Sequence, residues 1–264
     1  RTVCLARIGR NAEAMALLPE LPASSSIPHL ESERNILEGD VRAAQGDHAG
    51  AAAAFAREAH GSQWALGSVR LAEEVAAAAD ASRATEAIAA ARRVRFEALS
   101  NALTTRAESA ERACRSLLNK SGPQEIPPSA TERLTYGRTL FEGGKAKDAM
   151  PILSLVRAEE KPGSANWCRA TLLAARAQEK LRSRKKASEL FGEAEVHCTD
   201  EETRVRALWE GGKSALAQKD VKLGRERLAK LESLFPKHRL ADDARLKGAI
   251  AAYDAGDSTA AESM

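Results

Sequence analysis

The chain has 264 residues, of which 44% are hydrophobic but only 4% aromatic, and its 40 Lys and Arg nearly balance its 37 Asp and Glu. Its apolar residues are mostly Ala and Leu, a composition that favours closely packed helices and argues against a β-sandwich or barrel. The formal net charge of +3 argues against a nucleic-acid-binding protein, since such proteins concentrate basic residues on one face.

The first clear helix-turn-helix pattern covers about residues 29–60. Gly39 is followed by Gly46 seven residues later, by Ala51 five residues further on, and by Phe55 four residues beyond that. The first small residue lets one helix approach its partner, and the next glycine ends that helix in a left-handed turn. Residues four apart share a face of the second helix. Residues 64–118 are helical in composition but degenerate in pattern, so 1–118 is predicted to be a region of irregular helical repeats.

A segment rich in Pro, Gly and Ser, residues 119–129, follows this region and is predicted to be a linker or break. Beyond it, residues 130–264 repeat the same spacing regularly. The copies are Gly137, Gly144, Ala149 and Leu153; Ala175, Arg182, Ala187 and Phe191; Gly212, Lys219, Gly224 and Leu228; and Ala249, Gly256 and Ala261. Their first members are 38, 37 and 37 residues apart. The last copy is truncated, so we expect more protein after residue 264.

This pattern resembles the tetratricopeptide repeat, a helix-turn-helix unit of about 34 residues. The resemblance implies an all-α fold, an α-solenoid or superhelix, whose inner groove is lined by the first helix of each pair. Carried onto this sequence, the candidate groove residues are Arg138, Arg169, Arg176, Lys180, Arg206, Trp209, Lys213 and Tyr253. Most are cationic and would favour carboxylates or phosphates. Packing between repeats is the alternative role for Trp209 and for Trp167.

The sequence predicts no catalytic residue, no metal site and no cofactor within these residues. Adjacent acidic pairs such as Asp242 and Asp243 would point about 100° apart on a helix, so they do not form a facing acid-base pair. No apolar run approaches the roughly 20 residues that span a bilayer. The basic run Lys180–Lys186 is interpreted as a solvated turn, with an anionic partner as the alternative.

Two of the four cysteines are expected to meet. Cys168 opens the first helix of its repeat and Cys198 closes the second. The two helices are antiparallel, so these ends come together at the open end of the hairpin. A disulfide is therefore predicted there, provided that the compartment is oxidising.

Three C-terminal segments, Trp167–Ala177, Val205–Trp209 and Phe235–Ala244, are similar to helical repeats of bacterial periplasmic proteins. They resemble the superhelical N-terminal region of soluble lytic murein transglycosylases and also envelope tetratricopeptide proteins. The first resemblance implies a periplasmic scaffold that positions peptidoglycan glycan strands for a separate catalytic domain, so the parent protein would be an enzyme. The second implies an adaptor that binds a protein or peptide, and a cytoplasmic regulatory repeat domain is the third hypothesis.

Overall fold

The computed structural model describes residues 5, 8–20, 28–118 and 127–257, with backbone alone for residues 28 and 29. These residues form 13 α-helices, one short 3-10 helix and no strand. The chain divides into two compact units, unit 1 (Arg1–Pro127) and unit 2 (Pro128–Met264). Most of the predicted linker, residues 119–126, lies outside the described residues, as do residues 258–264 with Ala261.

The described residues of unit 1 form six α-helices, most of which pack on the next one along the chain. They are α1 (Asn11–Leu17), which a 3-10 helix (Leu18–Glu20) follows, α2 (Pro28–Ala44), α3 (His48–Glu58), α4 (Trp64–Ala77), α5 (Ala84–Glu97) and α6 (Asn101–Leu118). Helix α6 packs on both α5 and α4. The buried side chains of this unit are mostly Ala and Val around Phe55.

Unit 2 is a regular series of antiparallel helix pairs, the tetratricopeptide-like α-solenoid that the spacing predicts. Its helices are α7 (Ala130–Glu142), α8 (Ala146–Glu159), α9 (Ala165–Lys180), α10 (Arg184–His197), α11 (Glu201–Ala217), α12 (Val221–Leu234) and α13 (Ala241–Asp254). Each helix packs on the next, and α9 also contacts α7 and α11. The first helices, α7, α9, α11 and α13, carry what we call the first-helix face.

The small residue and the large residue of the repeat pattern contact each other in three helix pairs: Gly39 with Phe55, Gly137 with Leu153, and Gly212 with Leu228. A Cβ atom on Gly39 would lie 2.4 Å from the Phe55 ring, and one on Gly137 would lie 2.8 Å from Cδ2 of Leu153. The large side chain, fully buried, thus packs directly on the bare backbone of the facing helix. This contact explains why the pattern requires a small residue at the first position.

Substitution of Gly39 by Ala should lower the free energy of unfolding by roughly 1–3 kcal/mol, because the added methyl overpacks the Phe55 ring. In a Phe55→Leu background the same substitution should cost little, since the ring atoms that clash are gone. Urea unfolding of the four proteins in a double-mutant cycle measures this coupling. An equal cost of Gly39→Ala in both backgrounds would contradict the contact.

The turns between paired helices share one left-handed residue. It is Gly46, Gly144 and Gly256 with φ of 80°, 79° and 80°, and it is Arg182 and Lys219 with φ of 62° and 65°. The amide that follows this residue donates to the carbonyl five residues before it, as in Lys145 to Leu140 at 2.8 Å. The turn is therefore the same whether or not a glycine occupies it.

Substitution of Arg182 by Gly should raise the free energy of unfolding by about 0.5 kcal/mol. The left-handed conformation costs an L-residue about 1–2 kcal/mol, whereas the extra unfolded-state entropy of glycine costs about 0.5–1 kcal/mol. Lys185→Gly, inside α10, serves as the control and should lose about 1 kcal/mol. Equal losses in the two variants, measured by thermal unfolding, would refute the role of the turn conformation.

Candidate functional site

The first-helix face of unit 2 contains a pocket of about 410 Å³, which we call the aromatic pocket. Helices α7, α9 and α11 build it with Phe141, Arg176, Glu179, Lys180, Trp209, Glu210 and Lys213. Four of the eight predicted groove residues, Arg176, Lys180, Trp209 and Lys213, therefore come together in one place.

The cations of the aromatic pocket already have partners inside it. Arg176 forms an ion pair with Glu210 at 3.1 Å, and its guanidinium lies 5.3 Å from the centroid of the Phe141 ring. Lys180 lies on the same ring at 4.1 Å, and Nζ of Lys213 lies 5.2 Å from the ring centroid of Trp209. The pocket therefore combines two aromatic rings with three cations and two carboxylates, and one cation and one carboxylate form an ion pair.

Glu210 is the ionisable group most affected by this environment. Burial raises the pKa of its carboxyl, and the neighbouring guanidinium of Arg176 opposes that rise. A carboxylate so placed holds the Arg176 guanidinium in the pocket, beside the Phe141 ring.

The other four predicted groove residues line no part of this pocket. Arg138 and Arg169 are exposed, Arg206 donates to Glu202 at 2.6 Å, and Tyr253 is 70% exposed on α13. Trp167 is buried in the core at the start of α9, which is the packing role considered for it. Trp209 has both roles, since it packs on the core of α11–α13 and lines the aromatic pocket.

A second cavity of about 740 Å³, the apolar cleft, lies between α11, the start of α12 and α13. Its apolar wall includes Leu216, Val221 and Ile250, and Lys213 belongs to both cavities. Sequence reasoning missed this cleft. Leu246, Ile250 and Tyr253, at helical spacing on α13, are 61%, 51% and 70% exposed, and that apolar stripe was the available signal.

The two cysteines predicted to pair are adjacent. The Cα atoms of Cys168 and Cys198 are 5.7 Å apart and their sulfur atoms 2.19 Å, within a cystine that joins the first turn of α9 to the residue after α10. Both residues are buried. Cys114 is a free thiol whose burial raises its pKa to about 11, and Cys4 lies outside the described residues.

Neither a metal-ligating cluster nor a membrane-spanning helix occurs in the described part of the chain. There, no group of three or more His, Cys, Asp or Glu residues is arranged to hold a metal ion. Every helix that the structure describes is too short or too polar to span a bilayer.

Comparison with known proteins yields likenesses in structure but none in sequence. No protein-family model matches the chain, and no curated protein matches it by sequence. Among solved structures, a monomeric mutant of IFIT1 with m7Gppp-AAAA (anti conformation of the cap) is similar, with 15% sequence identity and a TM-score of 0.39. The match covers 99% of this chain and 56% of the IFIT1 chain. The class of partner must therefore be argued from the chain's own surface.

Proposed function

We propose that this chain is a non-catalytic binding scaffold of a cell-envelope protein, and that the first-helix face of unit 2 holds a segment of a protein partner. The observation that carries the proposal is the pair of neighbouring cavities, which share Lys213 and run over α7, α9, α11 and α13. One cavity offers aromatic rings and paired charges, and the other offers aliphatic walls. A peptide can use both, because it alternates polar backbone with apolar side chains.

Binding of short random peptides displayed on phage tests the proposal. Peptides selected on the wild-type protein should bind about tenfold more weakly to Trp209→Leu, because a half-buried Trp in an interface typically contributes more than 1 kcal/mol. Leu keeps the packing of residue 209 against the core. Val196→Ala, at a 72% exposed position on the second helix α10, should bind normally. If the selected peptides bind both variants like the wild type, the first-helix face is not the binding surface.

The second candidate is the glycan-positioning region of a lytic murein transglycosylase. Trp209 beside Arg176 favours it, since an indole face stacks on a sugar ring and a guanidinium pairs with the lactyl and peptide carboxylates of peptidoglycan. The cystine also fits an oxidising compartment such as the periplasm. Co-sedimentation with purified sacculi that depends on Trp209 would favour this candidate. Absence of co-sedimentation, together with peptide binding, would favour the adaptor.

A further inference from the structure

The turns of unit 2 form one edge of the solenoid, which we call the turn edge. Antiparallel pairs with three-residue turns place all the turns on the same side. Side chains join each turn to the next: Lys180 lies 3.5 Å from the carbonyl oxygen of Phe141, and Arg184 donates to the carbonyl of Ala217 at 3.2 Å. Arg225, near the start of α12, forms an ion pair at 3.0 Å with Asp257 in the turn after α13.

The first three turns of the turn edge are strongly cationic. Segments 143–148, 181–186 and 218–222 contain eight basic residues and two acidic ones, Asp148 and Asp220. The basic residues, all of them exposed, are Lys145, Lys147, Arg182, Arg184, Lys185, Lys186, Lys219 and Lys222. None of the eight forms an ion pair with another described residue, whereas Arg133, Arg157 and Arg206 elsewhere in unit 2 all do.

The cations at the start of α10 oppose the stability of that helix, whereas α8 has Asp148 in its first turn and α12 has Asp220 as its N-cap. Helices α8, α10 and α12 begin at the turn edge, and the positive end of a helix dipole disfavours Lys and Arg there. The first turn of α10 is nevertheless Arg184, Lys185 and Lys186, with no acidic residue and no side-chain cap at Ser183. At the opposite edge α7, α11 and α13 follow the usual rule, with acidic residues in their first turns, whereas α9 has none there. Basic residues at a helix N-terminus do not stabilise the fold, so their presence there indicates that they bind a partner.

From these observations we propose that the turn edge binds an anionic membrane surface through lipid phosphate groups. Six of its eight cations are lysines, which act as point charges that need no shaped acceptor. Its turns carry no aromatic residue on which a nucleic-acid base would stack, and Leu181 is 41% exposed beside Arg182. Lys219 also lines the apolar cleft, so the two surfaces share one cation, whereas the other seven cations of the turn edge line neither cavity.

Vesicle co-sedimentation at low and physiological salt tests the proposal. The protein should bind vesicles that contain phosphatidylglycerol and should not bind pure phosphatidylcholine. The triple variant Lys147→Gln, Lys185→Gln and Lys186→Gln should bind at least tenfold more weakly, because each cation near an anionic surface contributes a several-fold factor. The matched control, Lys161→Gln, Lys237→Gln and Arg239→Gln, removes the same charge from exposed residues of the opposite edge and should bind within twofold of wild type.

Three results would overturn the proposal: no binding to phosphatidylglycerol vesicles at low salt, an equal loss in the control variant, or edge-dependent binding of a single-stranded oligonucleotide without vesicle binding. The second would show that overall charge alone attracts the protein to vesicles. Circular dichroism checks the fold of both variants. The turn-edge variant should unfold at the same or a higher temperature than wild type, since the charges it loses oppose the helix dipoles.

Discussion

Removing the cystine by the double substitution Cys168→Ala and Cys198→Ala should lower the free energy of unfolding of unit 2 by about 3 kcal/mol. The two cysteines are 30 residues apart in sequence, and a closed loop of that length removes a corresponding amount of entropy from the unfolded chain. The native hairpin between α9 and α10 keeps its other contacts, so the loss should arise mainly from the unfolded state. Guanidinium unfolding under non-reducing conditions measures it.

The same experiment contains its own control. Reductant should destabilise the wild type to the level of the double variant and should leave the double variant unchanged. Alkylation of the native protein should modify neither Cys168 nor Cys198, and Cys114 should react slowly because it is buried with a raised pKa. Two free thiols at positions 168 and 198 in protein from an oxidising compartment would contradict the assignment.

Substitution of Arg227 by Met should cost about 3 kcal/mol, since it breaks a buried network. Arg227 is 6% exposed on α12 and donates to the Ser188 carbonyl at 2.9 Å and to the Gly211 carbonyl at 3.3 Å. It also lies 3.5 Å from the carboxylate of Glu195. One guanidinium thus joins α12 to α10 and α11, and its removal leaves three acceptors without this donor. Urea unfolding measures the loss.

Lys230→Met is the matched control for that network. Lys230 also pairs with Glu195, but its side chain is 45% exposed, so the pair should contribute less than about 1 kcal/mol. Arg227→Lys should lie between the two, because an ammonium group cannot donate in the planar fork that reaches two helices. A cost of Arg227→Met no greater than that of Lys230→Met would show that the network does not stabilise unit 2.

The repeat spacing of the sequence predicts much of unit 2 because each residue of the pattern has a defined structural role, either in a turn or in a contact between paired helices. Arg182 and Lys219 occupy the left-handed position although neither is glycine, and Gly137 receives Leu153 as the spacing implies. The cystine was predictable for a similar reason, since an antiparallel hairpin fixes which helix ends meet. In each case the constraint is local to one helix pair.

The helix pairing within residues 64–118 could not be predicted from the repeat spacing. Ala72, Ala79 and Ala84 keep the spacing of seven and five residues, and Ala79 has the left-handed φ of 51°. Helices α4 and α5 are therefore another pair. Most neighbouring positions are also alanines, and no glycine occupies the turn. The repeat positions therefore cannot be distinguished from their neighbours in the sequence. The structure shows which residues of this region occupy the repeat positions, and the amino-acid composition does not.

The charges of the first-helix face were the least predictable feature of the site. Sequence placed Arg176 and Lys180 on that face, but their contacts with Phe141 and Glu210 depend on distances between α7, α9 and α11. Leu216 and Ile250 were missed because apolar residues on first helices look like core residues in a sequence. The cleft between them depends on the packing of successive repeats.

Site-specific photocrosslinking in the cells that make the protein shows which face of unit 2 contacts a protein partner. A photoreactive phenylalanine analogue would replace Tyr253 or Arg169, both exposed on first helices, and Val196 on a second helix as the control. Discrete crosslinked protein products are expected from positions 253 or 169 and none from position 196. Products from position 196 alone, or equal products from all three positions, would contradict the assignment of the first-helix face as the binding surface.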